Sequence, residues 1–188
     1  MPAPEAMTPE QRRACDDVIS GKRGKIPAPM IAWIRNPQLA GRIQSLGETL
    51  RFETSLGLRL TELAILVCAR HWTAHMQWKA HKVYALEAGL APEIIDAIAA
   101  HAVPKFEDEP ARAVYQVAIH LLKEGRVSDE LYGEAVDALG EPGVVELVAL
   151  LGYYCLASFT LNTFRLGLPE AIAPELADPE FSAEARHL

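Results

Sequence analysis

The stretch HWTAHMQWKAH, residues 71 to 81, gathers three histidines and two tryptophans in an otherwise Ala- and Leu-rich chain. Such a cluster could bind a metal ion or move protons. At about 100° of rotation per residue, His71 and His75 lie on one side of a helix, whereas His81 is turned about 120° from His75. A single helix cannot aim all three at one ion, and neither HExxH nor a carboxylate among the histidines completes a zinc site. No metal or cofactor is expected. His81, Gln77 and Ala74, spaced by four and three, do share one face near the start of a helix, where free amide donors and the macrodipole favour a carboxylate or an enolate.

A partner for His81 comes from nineteen residues upstream, where Glu62 sits in an apolar run with Leu60, Leu63, Ile65 and Leu66. Burying that carboxylate unpaired is costly, so it needs His81 or Arg59 beside it. On one unbroken helix Glu62 and His81 would be about 28 Å apart, so they meet only if the chain reverses near 71–73. A Glu that orients a His makes it a tunable acid or base near neutral pH; a purely structural pair satisfies the same spacing. Around such a site Trp72 and Trp78 offer an apolar wall, Gln77 and the amides after Thr73 offer donors, and His71 and His75 are rim candidates. Arg59 and Arg70 are placed either to pair with a substrate carboxylate or to form salt bridges.

The elements that position these residues are all helical. Thr8-Pro9-Glu10-Gln11 carries an N-cap, a first-turn proline and a capping-box partner, which starts a helix over 9–20. GKRGKIPAP, 21 to 29, reads as a loop before a short apolar turn, MIAWI, and Asn36-Pro37 opens a helix over 37–53. From Arg59 to Trp72 the stripe is apolar on most sides; Thr73 then caps a helix over 74–88 that Gly89 stops. Further helices run from Pro92 to before Pro104, through EPARAVYQVAIHLLKEG, from a Ser128 cap to Gly140, and over Gly143 to Phe164. An irregular arm from 168 to 188 closes the chain. The expectation is an all-α, single-domain bundle of about eight helices over residues 1–188.

Composition excludes several classes of function. With 25 acidic against 18 basic residues and a net charge of −7, the chain has no basic stripe for nucleic acid. The most apolar window, Val144 to Phe164, carries Glu146, Ser158, Thr160 and Asn162 and reads as a buried helix rather than a membrane span. The N-terminal segment lacks a signal-peptide core, so a cytoplasmic location is expected. Cys15, Cys68 and Cys155 are scattered, form no CxxC, and read as buried free thiols.

LRLTELAILVCARHWTAHMQWKAHKVYALEAGL, residues 58 to 90, resembles the core motif of the carboxymuconolactone decarboxylase and alkyl hydroperoxidase D-like superfamily. Weaker similarity runs through NPQLAGRIQSLGETLRFE and VVELVALLGYYCLASFTLNTF, so the resemblance covers most of the chain. It implies an alkyl hydroperoxidase D-like helical fold, assembly into homotrimers or hexamers, and a small-molecule substrate. In the hydroperoxidase branch a Glu, two cysteines and a His relay protons; here those places hold Glu62, Ala74, Gln77 and His81, so both thiols are missing. The decarboxylase branch has Glu-Trp three residues before the His; here it reads Gln77-Trp78 and His81, an amide in place of the acid.

The expectation that follows is a cofactor-free acid/base enzyme acting on a small lactone, keto or carboxylate compound. His81 donates or accepts the proton, Glu62 sets its charge, and Gln77, Trp78, Trp72, His75 and Arg59 bind substrate. The alternatives are a peroxiredoxin-like antioxidant protein, which the missing CxxC opposes, and a non-catalytic oligomeric module that binds a small ligand.

Overall fold

A computed structural model describes residues 1–168 and 172–178. It is all-α, with no strand among the described residues: α1 Pro9–Ser20, α2 Met30–Trp33, α3 Pro37–Phe52, α4 Gly57–His71, α5 His75–Glu87, α6 Pro92–Ala99, α7 Glu109–Glu124 and α8 Asp129–Thr163. The all-helical bundle is therefore as the sequence implies.

Side-chain caps set the starts of α1, α3, α7 and α8. Thr8 and Gln11 form the reciprocal capping box, and Asn36 and Ser128 accept from the backbone amides of Leu39 and Leu131. Asp108 does the same for Ala111 at the start of α7. At Gly140 the backbone turns to φ 72°, a conformation open to glycine, and breaks α8 into two segments, Pro142 following as the next helix restarts. By length and composition α8 is apolar enough to cross a membrane, yet half of its most apolar window is packed inside the bundle.

Helix α4 is the axis of the fold. Leu63, Ala64, Ile65, Leu66, Cys68 and Ala69 have no exposed surface, because α5, α7 and α8 surround it. Each large side chain buried this way contributes roughly 1.5–3 kcal/mol. An element apolar on every side can hold a charge only where a neighbour supplies a counter-charge, and Glu62 lies in the middle of this one.

The reversal between α4 and α5 is tighter than a capped helix start. The amide of Ala74 donates to the Ala69 carbonyl at 2.8 Å and that of Thr73 to the Arg70 carbonyl at 3.2 Å, the paired bonds that close a helix C-terminus with a left-handed residue. Thr73 takes that left-handed position at φ 47°. It does not cap α5: Ala74 is the N-cap residue, without a side-chain bond, and the Thr73 hydroxyl instead accepts from Arg70 at 3.1 Å.

Close approach of α3 to α8 depends on Gly47, where an added Cβ would overlap the ring and hydroxyl of Tyr153. In an exposed helix Gly→Ala stabilises by about 1 kcal/mol. Here the methyl must displace an aromatic ring, so Gly47→Ala is expected to destabilise by about 1–3 kcal/mol, read as a lowered Tm.

Candidate active site

The reversal at residues 72–74 lays α5 back along α4 and brings Glu62 and His81 together, with Nδ1 of His81 at 2.6 Å from Oε2 of Glu62. Both side chains are buried, Glu62 almost completely. The other carboxylate oxygen accepts from Nε of Arg51 at 2.9 Å and lies at 2.9 Å from a terminal nitrogen of the same guanidinium. Arg51 is itself buried and stacks 4.1 Å from the centroid of the Tyr84 ring. Arg59, the other partner expected for Glu62, is elsewhere: it makes a two-pronged pair with Asp108 at 3.0 and 3.1 Å.

Three ionisable groups packed this closely settle into one charge pattern. Burial disfavours the Glu62 carboxylate, but His81 and Arg51 together outweigh that penalty and hold its acidity below the usual carboxylate range. For His81 burial is the dominant influence and lowers its basicity; the pull of Glu62 opposes this, while the charges of Arg51 and Arg23 add to it. The resting state is thus Arg51 cationic, Glu62 anionic and His81 neutral. Glu62 takes the proton on Nδ1 as its hydrogen bond, which leaves Nε2 as the basic nitrogen.

His81 lines a cavity of about 380 Å³. Its walls are apolar at Ile26, Trp33, Met76, Ala157 and Leu161, and the polar groups that reach it converge from four elements. Gln77 stands one turn before His81; its Oε1 accepts from the Ser158 hydroxyl at 3.1 Å, while the buried Nε2 has no nitrogen or oxygen partner among the described residues and the amide hydrogen-bonds the Cys68 thiol. The Tyr154 hydroxyl, with its ring edge-on to His81 at 5.0 Å, is unpartnered among the described residues, as are Nε and one terminal nitrogen of Arg23. Burial, and then the Glu62 charge, push the Tyr154 phenol above its usual range, so it remains a donor. Arg23 and Lys25 come from the loop 21–29. A second depression of about 450 Å³ lies beyond Arg51 and Tyr84, and Glu62, Lys22 and Arg23 line it.

Several expected substrate contacts are placed elsewhere. Trp78 is buried in the core and does not line the cavity; residue 78 lies one step round the helix from Gln77. Trp72 faces the opposite side of α8, where its indole donates to Sγ of Cys155 at 3.2 Å. His75 sits at 3.0 Å from Asp178 beside a separate groove, because it begins α5 on the side facing the chain after α8. Arg70 is buried and donates to the Ala99 carbonyl. Asp178, with Leu168 and Leu176, belongs to the arm expected over 168–188; its described part is irregular, and 169–171 and 179–188 lie outside the described residues.

Arg51, Tyr154 and Arg23 are the site residues that local sequence patterns do not single out. Arg51 had a signal: Ala40, Gln44, Gly47 and Arg51 are spaced by four, three and four, which puts its guanidinium on the buried face of α3. Nothing local separates Tyr154 from Tyr153 beside it, and Arg23 has no local signal at all. In comparisons with known proteins no family model matches the chain, and no curated protein matches it. Among the described residues no group of three or more His, Cys, Asp or Glu side chains is placed to hold a metal ion.

The charge pattern fixes how stability depends on pH. His81 has a lowered folded-state value, so its contribution is complete above its ordinary 6.5 and is lost as pH falls from there. Glu62, also lowered, contributes fully above its ordinary 4.5 and is lost at more acidic pH still. The wild-type Tm is expected to fall in two stages on acidification, and His81→Gln to reduce the upper stage, leaving the part that His71 and His101, both also lowered chiefly by burial, contribute. A Tm as pH-dependent in His81→Gln as in the wild type between about pH 7.5 and 5.5 contradicts the neutral-His assignment.

Proposed function

We propose that the protein is a cofactor-free acid/base enzyme of carboxymuconolactone decarboxylase type, acting on a small compound that carries a carboxylate next to a carbonyl, lactone or vinylogous ester. The observation that carries this reading is the Glu62–His81 contact of 2.6 Å on the wall of a cavity that is also lined by Tyr154 and Arg23, whose buried donors have no partner among the described residues. A packed structural Glu–His pair needs no cavity and no spare donors. Buried donors without partners cost stability, and a ligand with oxygen atoms at those places recovers it.

The roles follow from the chemistry of each group. The Arg23 guanidinium and Lys25 ammonium attract an anionic substrate, and the apolar walls hold its carbon frame. When CO₂ leaves, the electron pair of the broken C–C bond passes onto the conjugated oxygen as an enolate. The Tyr154 hydroxyl and the Gln77 amide are donors for that oxygen, and protonated His81 delivers its Nε2 proton to carbon. Glu62 steadies the imidazolium at Nδ1 and fixes which nitrogen reacts; Arg51 keeps Glu62 ionised. Run the other way, neutral His81 takes a proton from carbon and returns it at another position, which is an isomerisation on the same enolate.

The two directions have opposite pH dependence. Decarboxylation uses imidazolium, so kcat/KM is expected to rise as pH falls toward a His81 value below 6.5, whereas isomerisation is expected to lose rate over that range. A thermal-shift screen of small keto acids and unsaturated lactone carboxylates, followed by turnover assays on the hits, supplies the substrate. On it, His81→Ala and Glu62→Gln are each expected to lower turnover by about 10²-fold or more. Melting curves accompany both, because Glu62→Gln also weakens the pairing of a buried arginine. Tyr154→Phe is the cleaner probe: it is expected to cost about 10²-fold in kcat while leaving Tm unchanged or raised, since the hydroxyl has no partner to lose. Full turnover in His81→Ala and Tyr154→Phe ends the acid/base reading.

A further inference from the structure

Two of the three cysteines, 87 residues apart in the chain, meet on the far side of α8 from the cavity. Sγ of Cys68, completely buried on α4, lies 3.8 Å from Sγ of Cys155 on α8, which is partly exposed. The Trp72 indole N–H donates to the Cys155 sulfur at 3.2 Å, and neither cysteine lines the cavity beside His81. With no CxxC between them, both are expected from their spacing to be buried free thiols; the packing of α4 on α8 supplies the second sulfur that the spacing does not.

We propose that Cys68 and Cys155 form a redox-active dithiol, in which a small hydroperoxide oxidises Cys155 and Cys68 resolves the product to an intramolecular disulfide. Three observations support it. The sulfurs are in contact at 3.8 Å, so reaching the ~2.05 Å of a disulfide requires them to close by about 1.8 Å. Their environments differ: the partly exposed Cys155 sulfur accepts from the Trp72 indole and shares a hydrogen bond with Cys68, while the Cys68 sulfur is shut away from solvent against Ser158 and Gln77. That asymmetry divides the labour, since the hydrogen bond from Cys68, opposed by partial burial and helped by Trp72, brings Cys155 down to about 7, while the same bond and burial push Cys68 up.

The chemistry balances with a hydroperoxide as oxidant. The Cys155 thiolate attacks the outer oxygen, the O–O bond breaks, and the departing alkoxide or hydroxide takes the proton of the neighbouring Cys68 thiol. Cys155 is now a sulfenic acid and Cys68 a thiolate. Cys68 then attacks the sulfenic sulfur, the S–O bond breaks, and hydroxide leaves as water with the proton that Cys155 gave up when it ionised. Two thiols and one hydroperoxide give a disulfide, one alcohol or water, and one further water. A dithiol reductant returns the pair by exchange through the exposed sulfur.

The test reads thiols directly and needs no substrate for His81, so its failure leaves the acid/base reading standing. The full chain is treated with one equivalent of hydrogen peroxide or tert-butyl hydroperoxide at neutral pH, and peptides are mapped by mass without reduction. The expected product is a Cys68–Cys155 disulfide within one chain, with Cys15, buried and raised by that burial, still reduced. Cys155 is expected to react on the order of tenfold faster than Cys15, and Cys68→Ser or Cys68→Ala to stop at a sulfenic acid on Cys155 that a 1,3-dione captures. Oxidation of Cys15 before Cys155, disulfides only between chains, or no disulfide in the wild-type protein overturns the proposal. The wild-type map decides even if a Cys68 variant fails to fold.

Discussion

The buried contact among Arg51, Glu62 and His81 is the constraint around which the molecule is organised. Three ionisable side chains share a space that water hardly enters, and each alone would be expensive there. Together they cost less, because one cation and one anion cancel and the imidazole stays neutral. The arrangement demands three helices held in register: α3 for Arg51, α4 for Glu62 and α5 for His81. This is why α4 is apolar on its other faces, and why the reversal at Thr73 is closed by backbone bonds from both Thr73 and Ala74.

The same packing leaves a few donors unsatisfied at the cavity wall. The Tyr154 hydroxyl and two nitrogens of the Arg23 guanidinium are buried without a partner among the described residues. A folded chain tolerates such groups because the apolar mass around α4 outweighs them, and a ligand oxygen that reached them would satisfy them. Thr61 Oγ1 and Trp78 Nε1 are also unpartnered, but they do not line the cavity and nothing in the structure explains them.

Helix α8 gives the molecule two chemically different sides. Facing the cavity it presents Tyr153, Tyr154, Ala157 and Leu161; toward α4 and Trp72 it presents Cys155. Gln77 joins the two, since it lines the cavity while Ser158 holds its oxygen and the Cys68 thiol lies against both. A change at the sulfurs therefore bears on a side chain of the cavity without either cysteine entering it.

Much was legible without coordinates, where the cause is local. Thr8, Asn36 and Ser128 cap helices by bonds that span three residues, and Gly140 breaks α8 by its own backbone freedom, so short windows of sequence determine them. A glutamate amid leucines demanded a buried partner, and the helical period put Gln77 and His81 on one face. Which partner Glu62 takes, however, is a matter of which helices adjoin α4: Arg51 from α3 rather than Arg59 from α4's own first turn, which reaches Asp108 instead. His75 and Trp78 belong to the same histidine-rich helix as His81 and still do not line the cavity, because neighbours along a helix diverge by about 100°, and Trp72 precedes that helix in the reversal. The meeting of Cys68 with Cys155 and the delivery of Arg23 from a loop have no local cause at all. They arise from contacts between distant segments, and only the packing of α4 against its neighbours decides them.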